Sequence, residues 1–178
     1  LSTVSSANSP NSLTTWNWDF GDGNNSTQQN PTHTYATSGT FNAQLTVTTN
    51  NNCSTSATIP VTVHGMPNAG FNFVNACDNE AIALSDNSSA NGGVITNYYW
   101  DVDNNGTIDY TTTSVNHIYT QDGVHTVTLI VEVTPTCRDT LSQQITVYTL
   151  PQANFVIPSV CEGDASFFNN TSTIVPST

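Results

Sequence analysis

His125-Thr126-Val127-Thr128-Leu129-Ile130-Val131-Glu132-Val133 is the stretch on which the fold turns. His125, Val127, Leu129, Val131 and Val133 point one way; Thr126, Thr128 and Glu132 point the other. A period of two marks a β-strand with one buried face, and it places Glu132 on the outward face. An earlier stretch has the same alternation, with Phe41, Ala43, Leu45 and Val47 against Asn42, Gln44, Thr46 and Thr48. Turns follow at Thr49-Asn50-Asn51-Asn52 and Thr134-Pro135-Thr136. Return strands carry Ala57, Ile59, Val61 and Val63 in the first case and Leu141, Ile145 and Val147 in the second. Strands with Trp16, Trp18 and Phe20, or with Tyr98, Trp100 and Val102, come before. No helical period is present. Short alternating strands with regular turns predict an all-β antiparallel sandwich, with Trp18 and Trp100 as core anchors between the sheets.

The pattern is an internal repeat. His33-Thr34-Tyr35 returns as His117-Ile118-Tyr119, 84 positions later, and Gly39, Cys53 and Val63 return as Gly123, Cys137 and Val147. The register continues: Met66-Pro67-Asn68-Ala69-Gly70-Phe71 matches Leu150-Pro151-Gln152-Ala153-Asn154-Phe155, and Cys77-Asp78-Asn79-Glu80 matches Cys161-Glu162-Gly163-Asp164. Leu1-Ser2 and Ser5-Ser6-Ala7-Asn8 resemble Leu84-Ser85 and Ser88-Ser89-Ala90-Asn91. The expected organisation is the C-terminal part of one repeat over 1–64, a complete repeat over 65–149, and the N-terminal part of another over 150–178. This has the look of a window on a longer tandem array.

Composition narrows the function. The 178 residues hold one basic residue, Arg138, against 13 acidic ones, for a net charge of −12. Nothing is available to displace counterions from phosphates, so nucleic acid is excluded as a partner. A polybasic membrane anchor is excluded on the same ground, and no apolar run reaches the ~20 residues of a membrane span. A negative field attracts cations such as calcium. The four cysteines, Cys53, Cys77, Cys137 and Cys161, form no C-x-x-C pair, which disfavours zinc and suits structural disulfides in an oxidising place.

Trp16-Asn17-Trp18-Asp19-Phe20-Gly21-Asp22-Gly23, followed by Asn30-Pro31-Thr32-His33-Thr34-Tyr35 and Gly39-Thr40-Phe41, resembles the signature of the PKD (polycystic kidney disease) domain. The second copy departs, with Trp100-Asp101-Val102-Asp103 where Gly-Asp-Gly usually stands, but keeps His117, Tyr119 and Gly123. The resemblance implies tandem immunoglobulin-like sandwiches in an extracellular protein, serving as spacers, adhesion modules or accessory domains of secreted hydrolases. The Cys-bearing, Asn/Thr-rich form is similar to repeats of large Bacteroidota surface proteins, including gliding adhesins exported by type IX secretion.

Asp101-Val102-Asp103-Asn104-Asn105-Gly106-Thr107-Ile108-Asp109 is the sharpest local motif. Asp101, Asp103, Asn105 and Asp109 occupy positions 1, 3, 5 and 9 of a calcium loop, with Gly106 at 6. Thr112 stands at position 12 in place of a bidentate Glu. Two readings stand: a Ca2+ site, or a polar turn whose side chains bond the backbone. For Asp19 and Asp22 the turn-capping reading is preferred. The repeated His-x-Tyr reads as a fold-fixing element, the Tyr bonding a nearby backbone group. No nucleophile elbow, Cys-His motif or phosphate loop is present, so the stretch is read as non-enzymatic.

Four cysteines allow three pairings. In an immunoglobulin-like order Cys77 and Cys137 fall at opposite ends of one sandwich, too far apart to bond. The expectation is therefore disulfides between neighbouring repeats, Cys77 reaching a Cys beyond Thr178 and Cys137 one before Leu1. The leading functional reading is a mechanical stalk of a bacterial surface adhesin or filament, with neighbouring repeats, surface polysaccharide or other cells as partners. The alternative is a carbohydrate-binding or accessory module of a secreted hydrolase, for which Tyr98, Tyr99 and Tyr110 are the stacking candidates.

Overall fold

The computed structural model describes residues 12–175. The repeat matches at Leu1-Ser2 and Ser5-Ser6-Ala7-Asn8 lie outside the described residues. The chain divides into two compact units, Leu1–Gly65 and Met66–Thr178. All regular structure among the described residues is β, and no helix there is long and apolar enough to cross a membrane.

The first unit holds β1 (Leu13–Asp19), β2 (Asn25–Ser26), β3 (Gly39–Thr49) and β4 (Ser54–Val63). They form one antiparallel sheet in the order β2-β1-β3-β4. The β3–β4 ladder runs unbroken from Gly39↔Val63 to Thr48↔Ser54, so Leu45 faces Ala57 and Ala43 faces Ile59. The turn that closes it needs a left-handed residue, and Asn52 supplies it at φ +61°.

The second unit holds β5 (Phe71–Asn72), β6 (Ala76–Cys77), β7 (Ala81–Asp86), β8 (Asn97–Asp101), β9 (Ser114–Ile118), β10 (Gly123–Thr134), β11 (Cys137–Tyr148), β12 (Phe155–Val156) and β13 (Asn169–Asn170). One sheet has the order β6-β11-β10-β8 and faces a second, β5-β7-β9. Between them lies a continuous core that includes Trp100, Leu129 and Ile145 from one sheet and Phe71, Leu84 and Val115 from the other. Trp100 is 0% exposed, with its indole N–H given to the Thr112 carbonyl at 2.8 Å. A large apolar ring can be buried this deeply because its one polar atom is satisfied.

Trp18, the matching residue of the first unit, is only half-buried, and its indole N–H reaches the Gln28 carbonyl at 3.2 Å. It anchors a sheet, but among the described residues no second sheet lies over it.

Glu132 departs from the expected outward exposure. Its side chain does lie on the face opposite Val131 and Val133, yet the residue is 4% exposed. Arg138, its cross-strand partner in β11, reaches Glu132 Oε2 at 2.5 Å, and the Asn97 amide donates to Oε1 at 2.9 Å. The chain's single Arg, stacked beside Tyr99 at 5.7 Å, covers the carboxylate. Period two assigns the side of a sheet correctly, but a long neighbouring side chain can roof over a residue on the outer side.

Residues 150–178, expected to open a further repeat, group with the second unit. Their β12–β13 ladder pairs Phe155↔Asn170 and Val156↔Asn169, the β5–β7 pairing of Phe71↔Asp86 and Asn72↔Ser85 shifted by 84 positions.

Candidate metal centre

The loop between β8 and β9 is closed at its neck by Trp100 and Tyr110, whose backbones exchange hydrogen bonds of 2.9 and 3.3 Å. Inside the neck the chain must reverse within a few residues. Asn104 at φ +56° and Gly106 at φ +85° provide the two left-handed steps. Asp101 is buried at the end of β8, where Oδ1 accepts the Asn105 N–H at 3.1 Å and Oδ2 the Gly106 N–H at 2.8 Å. Asp103 Oδ1 accepts the Asn105 N–H at 3.2 Å, and Oδ2 the Asn105 amide at 2.8 Å. Asp109 Oδ2 accepts the Val102 N–H at 2.9 Å. The Asn105 side-chain oxygen accepts from the backbone N–H and hydroxyl of Thr107.

This folding of the loop gathers one carboxylate oxygen each from Asp101, Asp103 and Asp109 within 4.8 Å of one another. Three carboxylates this close repel one another; the N–H groups they accept offset part of that, and a cation between them would offset more. Arg138 does not serve, being committed to Glu132. The donors are all oxygen, and one is buried, which fits a hard divalent cation such as Ca2+ and not a thiolate- or imidazole-preferring metal. Asn105, the fourth candidate, is tied into the same loop: its oxygen accepts the Thr107 N–H at 2.7 Å and its amide donates to Asp103 Oδ2 at 2.8 Å.

Beside the loop stands the His-x-Tyr element. The Tyr119 hydroxyl donates to the Val102 carbonyl at 2.7 Å, and the Tyr35 hydroxyl to the Phe20 carbonyl at 3.0 Å. In both units the phenol ties the segment before the long hairpin to the chain leaving the Trp strand, as the fold-fixing reading required. Burial pushes the Tyr119 phenol far above its ordinary range, and the negative charges of Asp103 and Asp109 push the same way. Burial likewise pushes the His117 imidazole below its ordinary value; Asp109 and Asp103 oppose this and His125 adds to it. His117 Nδ1 lies 3.1 Å from the Tyr110 hydroxyl. His125, on the inward side of β10, packs on the Tyr119 ring at 4.3 Å, the place Phe41 takes on Tyr35 at 4.4 Å.

The first unit's loop is built differently. Gly21 sits at φ +80°, and a Cβ there would meet the Asn42 backbone at 2.8 Å, so only Gly fits. Asp19 and Asp22 cap the turn, accepting the N–H groups of Gly21 and Asn24 at 2.9 and 3.0 Å. Asp22 also pairs with His33, Oδ2 to Nε2 at 2.7 Å, a contact the sequence reading missed. Burial would raise the Asp22 carboxyl, but the hydrogen bonds from His33 and Asn24 outweigh it and hold the group below its ordinary value.

None of the four cysteines is bonded to another. Cys77 lies opposite Tyr148, and Cys137 opposite Thr134, at the two ends of β11. Twelve strand residues separate the two ends by roughly 36 Å, far beyond the ~7 Å a disulfide spans. Three aspartates fix backbone N–H or hydroxyl groups beside the two ends of the repeat at 66–147. Asp139 accepts the Ala69 N–H at 2.8 Å, Asp78 the Leu150 N–H at 2.8 Å, and Asp122 the Thr149 hydroxyl at 2.6 Å. Of the sugar-stacking candidates, Tyr98 and Tyr99 are half-buried, with Arg138 over Tyr99, and the Tyr110 hydroxyl lies 3.1 Å from His117 Nδ1.

Two facing β-sheets, a Trp between them and a Tyr tie across the corner define an immunoglobulin-like module. The chain belongs to the PKD domain family, whose profile matches residues 1–63 and again 66–147. A 49-residue stretch is 41% identical to a microbial collagenase of Vibrio alginolyticus, which is 28% of this chain and 6% of that protein. Two solved structures are similar over 48% of the chain. One is the PKD1 domain of Vibrio anguillarum Epp, at 23% identity, 98% coverage of that domain and TM-score 0.42. The other is the PKD1 domain of the Vibrio cholerae metalloprotease PrtV, at 30% identity, 100% coverage and TM-score 0.41.

Proposed function

We propose that the chain is a load-bearing spacer: PKD units in series within an extracellular bacterial protein, with neighbouring repeats as their direct partners and no chemistry of their own. The observation that carries this is the pairing of β6 with β11. These two strands stand close to the two ends of the complete repeat, residues 66–147, and they are parallel, Val147 beside Ala76 and Tyr148 beside Cys77. Tension applied near Met66 and Thr149 pulls parallel neighbours in opposite directions. The cross-links are then loaded together in shear and do not peel one at a time, because strand hydrogen bonds lie across the strand axis. Asp78 N–H to the Tyr148 carbonyl at 2.8 Å and Thr146 N–H to Asn75 Oδ1 at 3.0 Å extend the same patch.

Single-molecule stretching of the full chain tests this. The complete repeat, residues 66–147, should unfold in one rip that releases roughly 300 Å of contour. Asn75→Ala with Asp78→Ala should lower the rupture force. Extension without a force peak, or a peak indifferent to those changes, would sink the reading.

Ca2+ at Asp101, Asp103 and Asp109 would stiffen the unit, and disulfides between repeats would staple junctions. Non-reducing peptide mapping of the protein recovered from its producing organism tests the second point. In this reading the load is that of a surface adhesin stalk. A second reading makes the chain an accessory module of a secreted hydrolase, and the shared stretch with a collagenase favours it. Sequencing the flanking gene separates the two: many further repeats support the stalk, and one adjoining catalytic domain supports the accessory module.

A further inference from the structure

Two Asn-Gly pairs occur in the chain, Asn91-Gly92 and Asn105-Gly106. Such a pair is open to deamidation, because glycine puts no side chain in the way when its backbone nitrogen turns on the preceding amide. The fold treats the two pairs differently.

The Asn105 side-chain oxygen accepts the Thr107 N–H at 2.7 Å, and the Thr107 hydroxyl donates to the same oxygen. An Asn oxygen reaches the N–H two positions on by lying back over the intervening peptide, which holds its Cγ beside the next backbone nitrogen. That nitrogen belongs to Gly106, and its N–H points at Asp101 Oδ2, 2.8 Å away. Asn105 and Gly106 are exposed to water, and no atom beyond the chain neighbours lies within 4 Å of where a Gly106 Cβ would stand. Nucleophile, amide carbon, carboxylate and oxygen-binding donors therefore meet at one peptide. Asn91 is held otherwise. Its amide donates to the Met66 carbonyl at 2.9 Å, and its oxygen accepts the Ser89 hydroxyl at 3.4 Å, so neither bond folds the side chain over Gly92.

We propose that Asn105 is a self-modification site, deamidated by its own loop. The Gly106 nitrogen attacks Asn105 Cγ and gives its proton to the Asp101 carboxylate, while the Thr107 N–H and hydroxyl hold the negative oxygen that forms. The Cγ–Nδ2 bond then breaks. The proton returns through water to the departing nitrogen, which leaves as ammonia, and a cyclic imide remains. Water opens the imide at either carbonyl to an aspartyl or isoaspartyl residue; nothing is oxidised or reduced. The product adds one carboxylate beside those of Asp101, Asp103 and Asp109, and one negative charge to the −12 of the chain.

The test follows amide-to-acid conversion at each Asn by peptide mapping with mass spectrometry. The full chain is incubated at neutral pH with a chelator, once folded and once in urea. In the folded chain Asn105 should convert at least roughly tenfold faster than Asn91. In urea, where neither side chain is held, the two rates should draw level. Thr107→Val, at an exposed position, should slow Asn105 severalfold by removing one donor to the negative oxygen, and leave Asn91 unchanged. An Asn91 that keeps pace in the folded chain, a lead for Asn105 that persists undiminished in urea, or a Thr107→Val chain that converts at the wild-type rate would each overturn the proposal.

Discussion

The two units share one ground plan, and among the described residues the second holds two facing sheets where the first holds one. Trp100 is wholly buried beneath Phe71 and Leu84, whereas Trp18, on an equivalent strand, is half-buried at the edge of an open groove. The comparison teaches that an alternating strand commits a residue to a face, but the stability of that face comes from what lies across it.

Breaking the comparison at its strongest point means removing each tryptophan. Trp100→Ala should cost about 3–5 kcal/mol in the second unit's urea transition, from lost burial and a residual cavity. Trp18→Ala, measured on the first unit's transition, should cost about 1 kcal/mol, because among the described residues that side chain is only half-buried. Equal penalties would contradict the difference in closure.

Calcium sharpens the comparison next, since only the second unit gathers a carboxylate triplet among the described residues. At a free concentration of 100 Kd, Ca2+ should stabilise that unit by about 2.7 kcal/mol over a chelated sample. Asp101→Asn should erase the gain, and the first unit's transition should not move. A calorimetric scan with and without chelator reads both.

The tyrosine ties come third. Tyr119→Phe leaves the Val102 carbonyl without its buried donor and should cost about 2 kcal/mol. Tyr35→Phe, at a part-buried tie, should cost about 1 kcal/mol. Urea transitions of the two variants read both losses.

Acid should produce the smallest effect and separate the units by pH. His117 is held below its ordinary value of 6.5 in the fold, so the unfolded chain takes up a proton first. The second unit therefore loses stability as pH falls from about 6.5 toward the lower folded value. Asp22 is held below its ordinary value of 3.8, so its contribution stands above that pH and is lost only as pH falls through the lower folded value. Stability curves taken down the pH scale should show the second unit weakening before the first. His117→Gln should remove the second unit's loss near neutral pH.

Much of this was legible in the residues. Period two marked the strands, the 84-position repeat matched β10–β11 with β3–β4, and the His-x-Tyr pair announced its backbone tie. The spacing of Asp101, Asp103 and Asp109 foretold that their oxygens would converge. Contacts made by tertiary neighbours were not legible. Glu132 looked solvent-facing because nothing local says that Arg138, across the ladder, will fold over it. Asp22 looked like a turn cap because His33 lies 11 positions on, and only the closed loop brings the two together. Asp78 and Asp139 hold N–H groups 70 or more positions away, and no short-range pattern marks such partners.

Amide hydrogen exchange on the full chain tests the contrast between the two ladders most directly. The β10 and β11 amides should exchange together and slowest, through global opening of a covered core, while the β3 and β4 amides exchange at least roughly a hundredfold faster. Equal protection in the two ladders would contradict the account, because it would mean that both sheets are shut to the same degree.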